Sequence, residues 1–408
     1  MKRSWIYSLL VLTILLSLGF ASKRVLSGAS RMTSQAQAAA NSQTITIGGE
    51  PVITLTRPSP ADKTKPQFLE AIVLPGRGMN LLQLKAWLPG KGEIDVIASP
   101  GLADAKQLLD NGDDEFGNRA FMLGSAILLP YPNRIRGTFS PDGKTIETTV
   151  AGKTLSLPAN WKGKNPGAEK HAMHGLILSA KFEDVKHQDG PAESSASGIL
   201  HTGDFGGHWP SKTDVSVRTT LKNNALDIVV ATKNVGSEPL PMAIGAHPYF
   251  AFPSGDRQQA RLHLPCTLRA PANNYDDVFP IGQIVPVKGT PFDFTAPGGA
   301  PLGTLFLDDS FTGIQRNAGG NAVIEITDPA ANYGLRILAL LPEVKAVQVY
   351  APPDKNFVAV EPQFNLVDPF NKKLWGKTDT GMVLLQPGQS VSWHIRLELF
   401  TPAAGAAH

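Results

Sequence analysis

The chain has 408 residues, of which 38 are Lys or Arg and 35 are Asp or Glu, so its formal net charge is +3. Hydrophobic residues make up 42% of the sequence and charged residues 18%, which excludes a disordered chain and allows a complete core. A single cysteine, Cys266, excludes an intrachain disulfide framework, a cysteine-based zinc site and a CxxC redox pair. The small positive charge would suit a nucleic acid or an anionic membrane, so the placement of the basic residues matters.

The first 22 residues have the pattern of a signal peptide or an N-terminal membrane anchor. Lys2 and Arg3 precede the uncharged and mostly apolar stretch 4–22, which contains the small-x-small triplet at residues 19–21. This stretch is also long enough to cross a bilayer without being cleaved, so a retained anchor stays open beside a cleaved signal peptide. Both interpretations predict an exported protein, periplasmic or secreted, whose only membrane contact is this segment if it stays uncleaved.

Residues 23–42 are small and polar and predict a flexible tether, followed by one domain over residues 43–408. Five basic residues and no acidic residue lie in the first 40 positions, namely Lys2, Arg3, Lys23, Arg24 and Arg31. Subtracting these five from the 38 basic residues leaves 33 against 35 acidic residues, so the domain itself is slightly acidic. The charge pattern therefore predicts no nucleic-acid partner.

Short segments of alternating apolar and polar residues dominate the chain after residue 43. In residues 391–399 every second residue is apolar, which is typical of a strand with one buried face. Further strands are predicted at residues 44–47, 146–150, 215–221, 226–230, 322–326, 335–341 and 344–350, and the best short helix at residues 102–109. Many strands without alternating helices predict an all-β fold, a large antiparallel β-sandwich.

Several common functional signatures are missing from the sequence. It contains no Walker A loop, dinucleotide fingerprint, HExxH or GxSxG motif. His201, Asp204 and His208 lie in a glycine-rich segment, but loop histidines without a complete ligand set are usually solvated, and no metal site is predicted. Cys266 follows a proline in an apolar run, which predicts a buried, inert thiol.

Four segments combine polar side chains with local rigidity. Taken singly, each has an ordinary structural explanation, such as a turn, a surface ion pair, a satisfied histidine or a strand end. The segments are 130–137 with Asn133 and Arg134, 171–175 with His171 and His174, 245–250 with His247, and 347–363 with Gln348 and Glu361. Two further acids, Asp308 and Asp309, lie before a Ser-Phe pair.

Together these segments form an ordered pattern: Asn-Arg-Ile, His-Gly, His-Pro-Tyr-Phe, Asp-x-x-Phe, Gln-x-Tyr and Glu-Pro-Gln. This order resembles the aldose 1-epimerase (galactose mutarotase) family over residues 76–400, nearly the whole predicted domain. The resemblance implies a large antiparallel β-sandwich with a sugar site on a concave sheet face. It also implies an isomerase that interconverts the α and β anomers of a free aldose, of glucose or galactose type, without a metal or organic cofactor.

The resemblance also implies roles for individual residues. Glu361 matches the family's general base, His247 its general acid, and His174 a second active-site histidine. Four residues match its substrate-binding positions, namely Asn133, Arg134, Asp308 and Gln348. General chemistry agrees with these roles, because an imidazole exchanges protons readily near neutral pH and a guanidinium presents several donors to hydroxyl oxygens.

The sequence departs from the family pattern at two positions. Leu176 stands where the family often has a second glycine after His-Gly. Asp309 stands where the aspartate is usually followed by a histidine, so Asp309 competes with Asp308 as the sugar ligand. The sugar preference is therefore not carried over from the family.

Two other functions remain open from the sequence. An exported carbohydrate-binding module would use the same cleft, although binding alone does not need a matched acid and base. A glycosidase or another glycan-processing enzyme would use Asp308 and Glu361 as its pair of carboxylates. All three hypotheses expect a sugar as the partner.

Overall fold

The computed structural model describes residues 45–57, 60, 62–111, 114, 116–150 and 152–402. From Thr46 onward these residues form one compact unit. The predicted signal peptide or anchor and the tether lie outside the described residues. Within the described ranges, no helix is both long enough and apolar enough to cross a membrane.

Helices are few and short in the described residues. They are α1 (Leu102–Asp110), α2 (Asn118–Phe121), the 3-10 helix η1 (Pro329–Ala331) and α3 (Lys372–Trp375). The helix predicted at residues 102–109 is confirmed as α1, which buries Ala105 and Leu109.

Strands supply most of the regular structure. The first fifteen are β1 (Thr46–Ile47), β2 (Glu50–Pro51), β3 (Ile53–Thr56), β4 (Gln67–Leu74), β5 (Asn80–Leu88), β6 (Gly92–Asp95), β7 (Ser125–Leu128), β8 (Arg134–Ile135), β9 (Thr138–Phe139), β10 (Thr145–Val150), β11 (Lys153–Pro158), β12 (Trp161–Lys162), β13 (Lys170–Met173), β14 (Glu183–Asp189) and β15 (Ser194–Gly203). The others are β16 (Thr213–Leu221), β17 (Ala225–Asn234), β18 (Leu240–Met242), β19 (Gly245–Ala251), β20 (Arg261–His263), β21 (Cys266–Ala270), β22 (Val285–Pro286), β23 (Ala300–Pro301), β24 (Leu307–Ile314), β25 (Ala322–Asp328), β26 (Tyr333–Ala339), β27 (Ala346–Ala351), β28 (Phe357–Gln363), β29 (Val383–Leu385) and β30 (Ser390–Phe400).

The strands predicted from alternation correspond to strands of the structure. Residues 391–399 lie within β30, 226–230 within β17, and 215–221 within β16. The strands predicted at 335–341 and 344–350 are shorter where they approach each other, because β26 ends at Ala339 and β27 begins at Ala346. Pro342 lies between them and cannot donate a ladder hydrogen bond, so the chain turns there.

Two large antiparallel sheets contain most of the strands. An eleven-stranded sheet has the order β22-β21-β24-β27-β28-β19-β7-β5-β4-β3, with β6 also paired to β5. A nine-stranded sheet has the order β14-β15-β16-β17-β30-β26-β25-β20-β23. A small sheet, β12-β13-β8, adds two of the motif segments. The predicted all-β class and antiparallel sandwich are confirmed.

The core lies between the two large sheets, and alternation along each strand decides which side chains enter it. Ala246, Pro248 and Phe250 of β19 line a small apolar cavity of about 20 Å³ together with Ile228 and Trp393 of the other sheet. Because neighbouring residues of a strand point to opposite faces, the residues between these positions of β19 lie on the face turned away from the core. The sandwich thus presents alternate residues of β19 on a second face, away from the core between the two sheets.

Trp393 of β30 joins this core to β28. Its side chain is almost fully buried, and its indole Nε1 donates a hydrogen bond of 2.9 Å to the carbonyl oxygen of Pro362. We expect Trp393→Phe to lower the free energy of unfolding by about 2–4 kcal/mol, because it leaves a cavity and a buried carbonyl without its donor. Urea denaturation measures this loss. Trp87→Phe is the control, because Nε1 of Trp87 donates to the carbonyl oxygen of Lys63 at a partly exposed position. Equal losses in the free energy of unfolding of the two variants would contradict the expectation.

Candidate active site

The face of the eleven-stranded sheet that is turned away from the core carries a group of buried polar side chains. The strands β24, β27, β28 and β19 are consecutive neighbours there. Gln348 lies opposite Glu361, and Asp308 lies opposite Tyr350, two residues from Gln348. His247, one residue from the core-facing Ala246, falls on the same face. Residues from three separate sequence motifs and from the acidic pair are therefore brought together.

His247 and Glu361 form a close, buried pair. Nε2 of His247 lies 3.4 Å from Oε1 of Glu361, and the two residues are 6% and 1% exposed. Burial raises the pKa of Glu361 well above its ordinary value, and the charge of Asp308 adds to this effect. Burial lowers the pKa of His247 to about 3. Both shifts favour the uncharged forms of the two side chains.

Asn133 and His174 meet where the paired strands β8 and β13 end. Both residues have left-handed backbone conformations, with φ angles of 67° and 62°. The N–H of His174 donates to the carbonyl oxygen of Asn133 at 2.8 Å, and the N–H of Asn133 donates to Nδ1 of His174 at 3.3 Å. Since Nδ1 accepts, the proton of the neutral ring lies on Nε2. Burial and the nearby His247 and Arg134 lower the pKa of His174, so this neutral form persists.

Gly175 explains why a glycine follows His174. Its φ angle is +82°, and a Cβ atom at this position would lie 2.1 Å from the carbonyl oxygen of Leu129. Only glycine fits such a close approach. Leu176 donates its own N–H to the same carbonyl at 2.8 Å and packs against the core, so this departure from the family pattern is accommodated without disturbing His174.

Arg134 connects Asn133 to the acidic part of the cluster. Its Nη1 donates to Oδ1 of Asn133 at 2.9 Å, and its Nη2 lies 3.6 Å from Oδ2 of Asp308. Gln348 donates to the other oxygen of Asp308 at 2.6 Å. Burial raises the pKa of Asp308, whereas Arg134 and Gln348 oppose the shift. Within the described residues, Nε of Arg134 and Oε1 of Gln348 are buried without a hydrogen-bond partner, so both can bind a polar ligand.

Contacts thus connect all seven residues that the sequence suggested for the site. His247 touches Glu361, and its ring lies 5.3 Å from that of His174. The remaining contacts run through Asn133, Arg134, Asp308 and Gln348 as described above. Seven residues spread over more than 220 positions therefore form one cluster through folding.

Asp309 does not join this cluster. It is fully buried and lies opposite Val349, whose side chain belongs to the core, so it points away from Asp308. Its Oδ1 accepts a bond of 2.5 Å from Arg269, and its Oδ2 accepts one of 2.8 Å from the hydroxyl of Tyr275. Both oxygens are occupied, which favours Asp308 over Asp309 as a ligand for a sugar hydroxyl.

Two aromatic residues next to the histidines were not among the predicted site residues. The ring of Phe121 in α2 lies 4.8 Å from that of His174 and 5.9 Å from that of His247. The ring of Tyr249 lies 4.6 Å from that of His247. Tyr249 belongs to the His-Pro-Tyr-Phe motif, so the sequence offered a reason to consider it. No motif surrounds Phe121, so the sequence does not indicate that it lies beside the histidines.

The remaining candidates from the sequence lie in ordinary structural environments. Nδ1 of His201 is 2.7 Å from Asp214, and Nδ1 of His208 is 2.5 Å from the carbonyl oxygen of Ser156. Across the described part of the chain, no three His, Cys, Asp or Glu residues are grouped to hold a metal ion. Cys266 is buried, and burial raises the pKa of its thiol, as expected for an unreactive cysteine.

Comparison with known proteins identifies the family to which this chain belongs. The family model described as Aldose 1-epimerase matches residues 94–398, well over half of the chain. The chain therefore belongs to the aldose 1-epimerase family.

Individual relatives are distant. The uncharacterized protein YphB of Escherichia coli K12 is 23% identical over 286 residues, which cover 67% of this chain and 82% of YphB. A galactose mutarotase-like protein from Clostridium acetobutylicum has a similar structure, with a TM-score of 0.66 and 20% identity, over 82% of this chain and 95% of its own. The GalM/aldose epimerase homologue from C. elegans gives a TM-score of 0.61 and 19% identity, over 86% and 98% of the two chains. At these identities the solved structures establish the shared fold.

His171, from the same motif as His174, is a buried histidine close to Arg134 of the site. It is fully buried, its ring contacts Phe279 edge-on at 4.9 Å, and Nδ1 lies 3.1 Å from the carbonyl oxygen of Glu169. Burial, with a contribution from Arg134, lowers its pKa to about 3.

This shift makes the stability depend on pH. Between pH 6.5 and 3 the unfolded chain binds a proton at His171 and the folded chain does not, so the folded state loses stability as the pH falls. We expect His171 to account for about 2 kcal/mol of the decrease between pH 7 and pH 5. Denaturation of wild type and His171→Phe at both pH values measures it. The variant should lose less stability on acidification. An unchanged pH dependence in His171→Phe would contradict the expectation.

Proposed function

We propose that the protein is an aldose 1-epimerase that interconverts the α and β anomers of a free aldose of glucose or galactose type. The observation that carries this proposal is the buried contact of 3.4 Å between His247 and Glu361, on one sheet face with Asp308 and Gln348 and beside Arg134 of β8. Mutarotation needs a base and an acid beside a sugar held by its hydroxyl groups, and this cluster offers each of them. Membership of the aldose 1-epimerase family supports the same class of reaction.

In the proposed reaction, Glu361 removes the proton from the anomeric hydroxyl and His247 gives a proton to the ring oxygen. The bond between the anomeric carbon and the ring oxygen breaks, and an open-chain aldehyde forms. After rotation about the adjacent carbon–carbon bond, the ring closes on the other face and both protons return. In the uncharged pair, Glu361 carries a proton on its carboxyl group and His247 is a neutral imidazole. Transfer of this proton from Glu361 to His247 creates the working base and acid without changing the net charge of the buried site.

The other residues hold the sugar in this proposal. His174, as a neutral ring with its proton on Nε2, is a donor for a sugar oxygen and not a competing base. Arg134 supplies guanidinium donors, and the free Oε1 of Gln348 accepts from a hydroxyl. Asp308 already accepts from Gln348 and lies close to Arg134, which suits a fixed hydroxyl acceptor better than the second carboxylate of a glycosidase.

We also propose that the protein acts outside the cytoplasm. The support is the N-terminal pattern of two basic residues followed by an uncharged apolar stretch. Mass spectrometry of the protein purified from cell fractions tests this. Recovery of the full chain from the cytoplasm alone would contradict export.

The catalytic proposal is tested by anomer exchange. We expect Glu361→Gln and His247→Ala each to lower kcat by about 10²–10⁴-fold, because each removes one partner of the proton transfer. Polarimetry or NMR of fresh α-glucose and α-galactose measures the rate above the spontaneous reaction. Glu325→Gln, on β25 of the other sheet, is the matched control and should keep full activity. If the wild-type protein accelerates mutarotation of no common aldose, the proposal fails.

A further inference from the structure

Arg134 belongs to a different sheet from the carboxylates of the candidate site. It lies on β8, which pairs with β13 in the small sheet β12-β13-β8, whereas Asp308 and Glu361 lie on strands of the eleven-stranded sheet. Its guanidinium nevertheless comes within 3.6 Å of Asp308 and 2.9 Å of Asn133. Strand pairing does not join β8 to the large sheet in the described residues. Other contacts must therefore set the distance between Arg134 and Asp308.

The backbone hydrogen-bonding groups of β8 alternate between its two sides, as they do in any strand of an antiparallel pair. On one side β8 pairs with β13, and just beyond β13 the N–H of His174 donates to the carbonyl oxygen of Asn133. The backbone groups of Pro132, Arg134 and Arg136 point to the opposite side. Without a partner for these groups, β8 would be an open edge there.

Residues 364–371 follow β28 directly and bond this second side of β8; they are called the clamp segment here. Nδ2 of Asn365 donates to the carbonyl oxygen of Pro132 at 3.0 Å. The N–H of Asp368 donates to the carbonyl oxygen of Arg134 at 2.8 Å. The clamp segment thus takes the place of a neighbouring strand along β8.

Asp368 contributes to this contact with its carboxylate as well as its backbone. It is 2% exposed and has a left-handed backbone, with a φ angle of 52°. Its Oδ1 accepts from the N–H of Arg136 at 3.1 Å, and its Oδ2 accepts from Nδ2 of Asn371 at 2.8 Å. Its carbonyl oxygen accepts from Nε1 of Trp375 at 3.1 Å. Both carboxylate oxygens are therefore occupied by donors of the chain itself, and Asp368 fixes the backbone around β8.

The clamp segment is also bonded to the large sheet where it begins. Gln363, the last residue of β28, is fully buried and donates from Nε2 to the carbonyl oxygen of Asn365 at 2.7 Å. The N–H of Phe364 donates to the carbonyl oxygen of Ile244, just before β19, at 3.1 Å. Since β28 and β19 carry the candidate acid–base pair, the clamp segment connects the strands of this pair to the backbone of β8.

We propose that Asp368 and Asn365 are positioning residues, which hold Arg134 where it binds the sugar beside the acid–base pair. This inference rests on the proposed function and adds two residues that act through Arg134. Hydrogen bonds weaken steeply when distance and angle depart from their best values, so a displaced guanidinium binds hydroxyl oxygens poorly. Arg134 holds the sugar before and during the reaction alike. Loss of its position therefore raises KM and leaves kcat nearly unchanged.

The test measures kcat and KM for anomer exchange of glucose and galactose by NMR. Asp368→Ala should raise KM about tenfold with little change in kcat. Asp368→Asn keeps an oxygen that accepts from Arg136 and should recover part of this loss. Asp328→Ala is the matched control, because Asp328 of the other sheet is also buried and accepts from the N–H groups of Ser254 and Ala331. It should lower stability and leave KM unchanged. An unchanged KM in Asp368→Ala would overturn the inference.

A double-mutant cycle shows whether Asp368 acts through Arg134. In the Arg134→Ala background, Asp368→Ala should raise KM little further, because the side chain that it positions is already missing. Equal increases with and without Arg134 would mean that Asp368 supports the structure in general, and they would overturn the inference. Should Asp368→Ala fail to fold, Asn365→Ala provides the same cycle at the other contact of the clamp segment.

A crystal structure of Asp368→Ala gives a readout that does not depend on turnover. Nη2 of Arg134 should move by about 1 Å or more from its place beside Asp308, while Glu361 and His247 keep their contact. An unmoved Arg134 would overturn the inference while mutarotation stands. If no sugar is turned over, the proposed function fails, and the displacement of Arg134 then decides by itself whether the clamp segment positions it.

Discussion

The alternation of side chains across the eleven-stranded sheet is the constraint on which the candidate site depends. Along β19 and β28, every second residue fills the core and the residues between them face outward. Val360 and Pro362 therefore fix Glu361 from both sides, since the core residues cannot move without opening the sandwich. On the outward face, the rings of Phe121, His174 and Tyr249 lie next to His247. Burial there shifts the pKa values of Glu361 and His247 toward their uncharged forms.

Part of this arrangement is readable in the sequence. A period of two predicted the strands by a local rule, whereas Asn133, His174, His247 and Glu361 were predicted as site residues because the ordered motifs resemble the aldose 1-epimerase family. The turn between β26 and β27 is longer than the two residues that the predicted strands leave between them, since apolar residues continue on both sides of Pro342. What local rules predict is the type of each element, and the resemblance to a family predicts the residues that carry chemistry.

The rest depends on contacts between distant parts of the chain. The left-handed backbones of Asn133 and His174 stabilise each other across 41 positions, which no local propensity reveals. Phe121 reaches the two histidines from a short helix with no motif around it. The separate roles of Asp308 and Asp309 became clear only through their partners, because adjacent strand residues of the same type have opposite surroundings. In each of these cases, the contacts made in the folded chain decide the role of the side chain, and the residue type does not.

The place of the last strand has a consequence for how the protein is made. β30 lies in the interior of the nine-stranded sheet, between β17 and β26, and brings Trp393 to the carbonyl oxygen beside Glu361. A chain that emerges from its N-terminus therefore has all seven site residues available while the layer that supports them is still incomplete. During synthesis, the long-range pairing of β30 becomes the late event that closes the sandwich. A nascent chain would be exposed to aggregation and proteolysis until then, and the acid–base pair would acquire its full support only once β30 is paired.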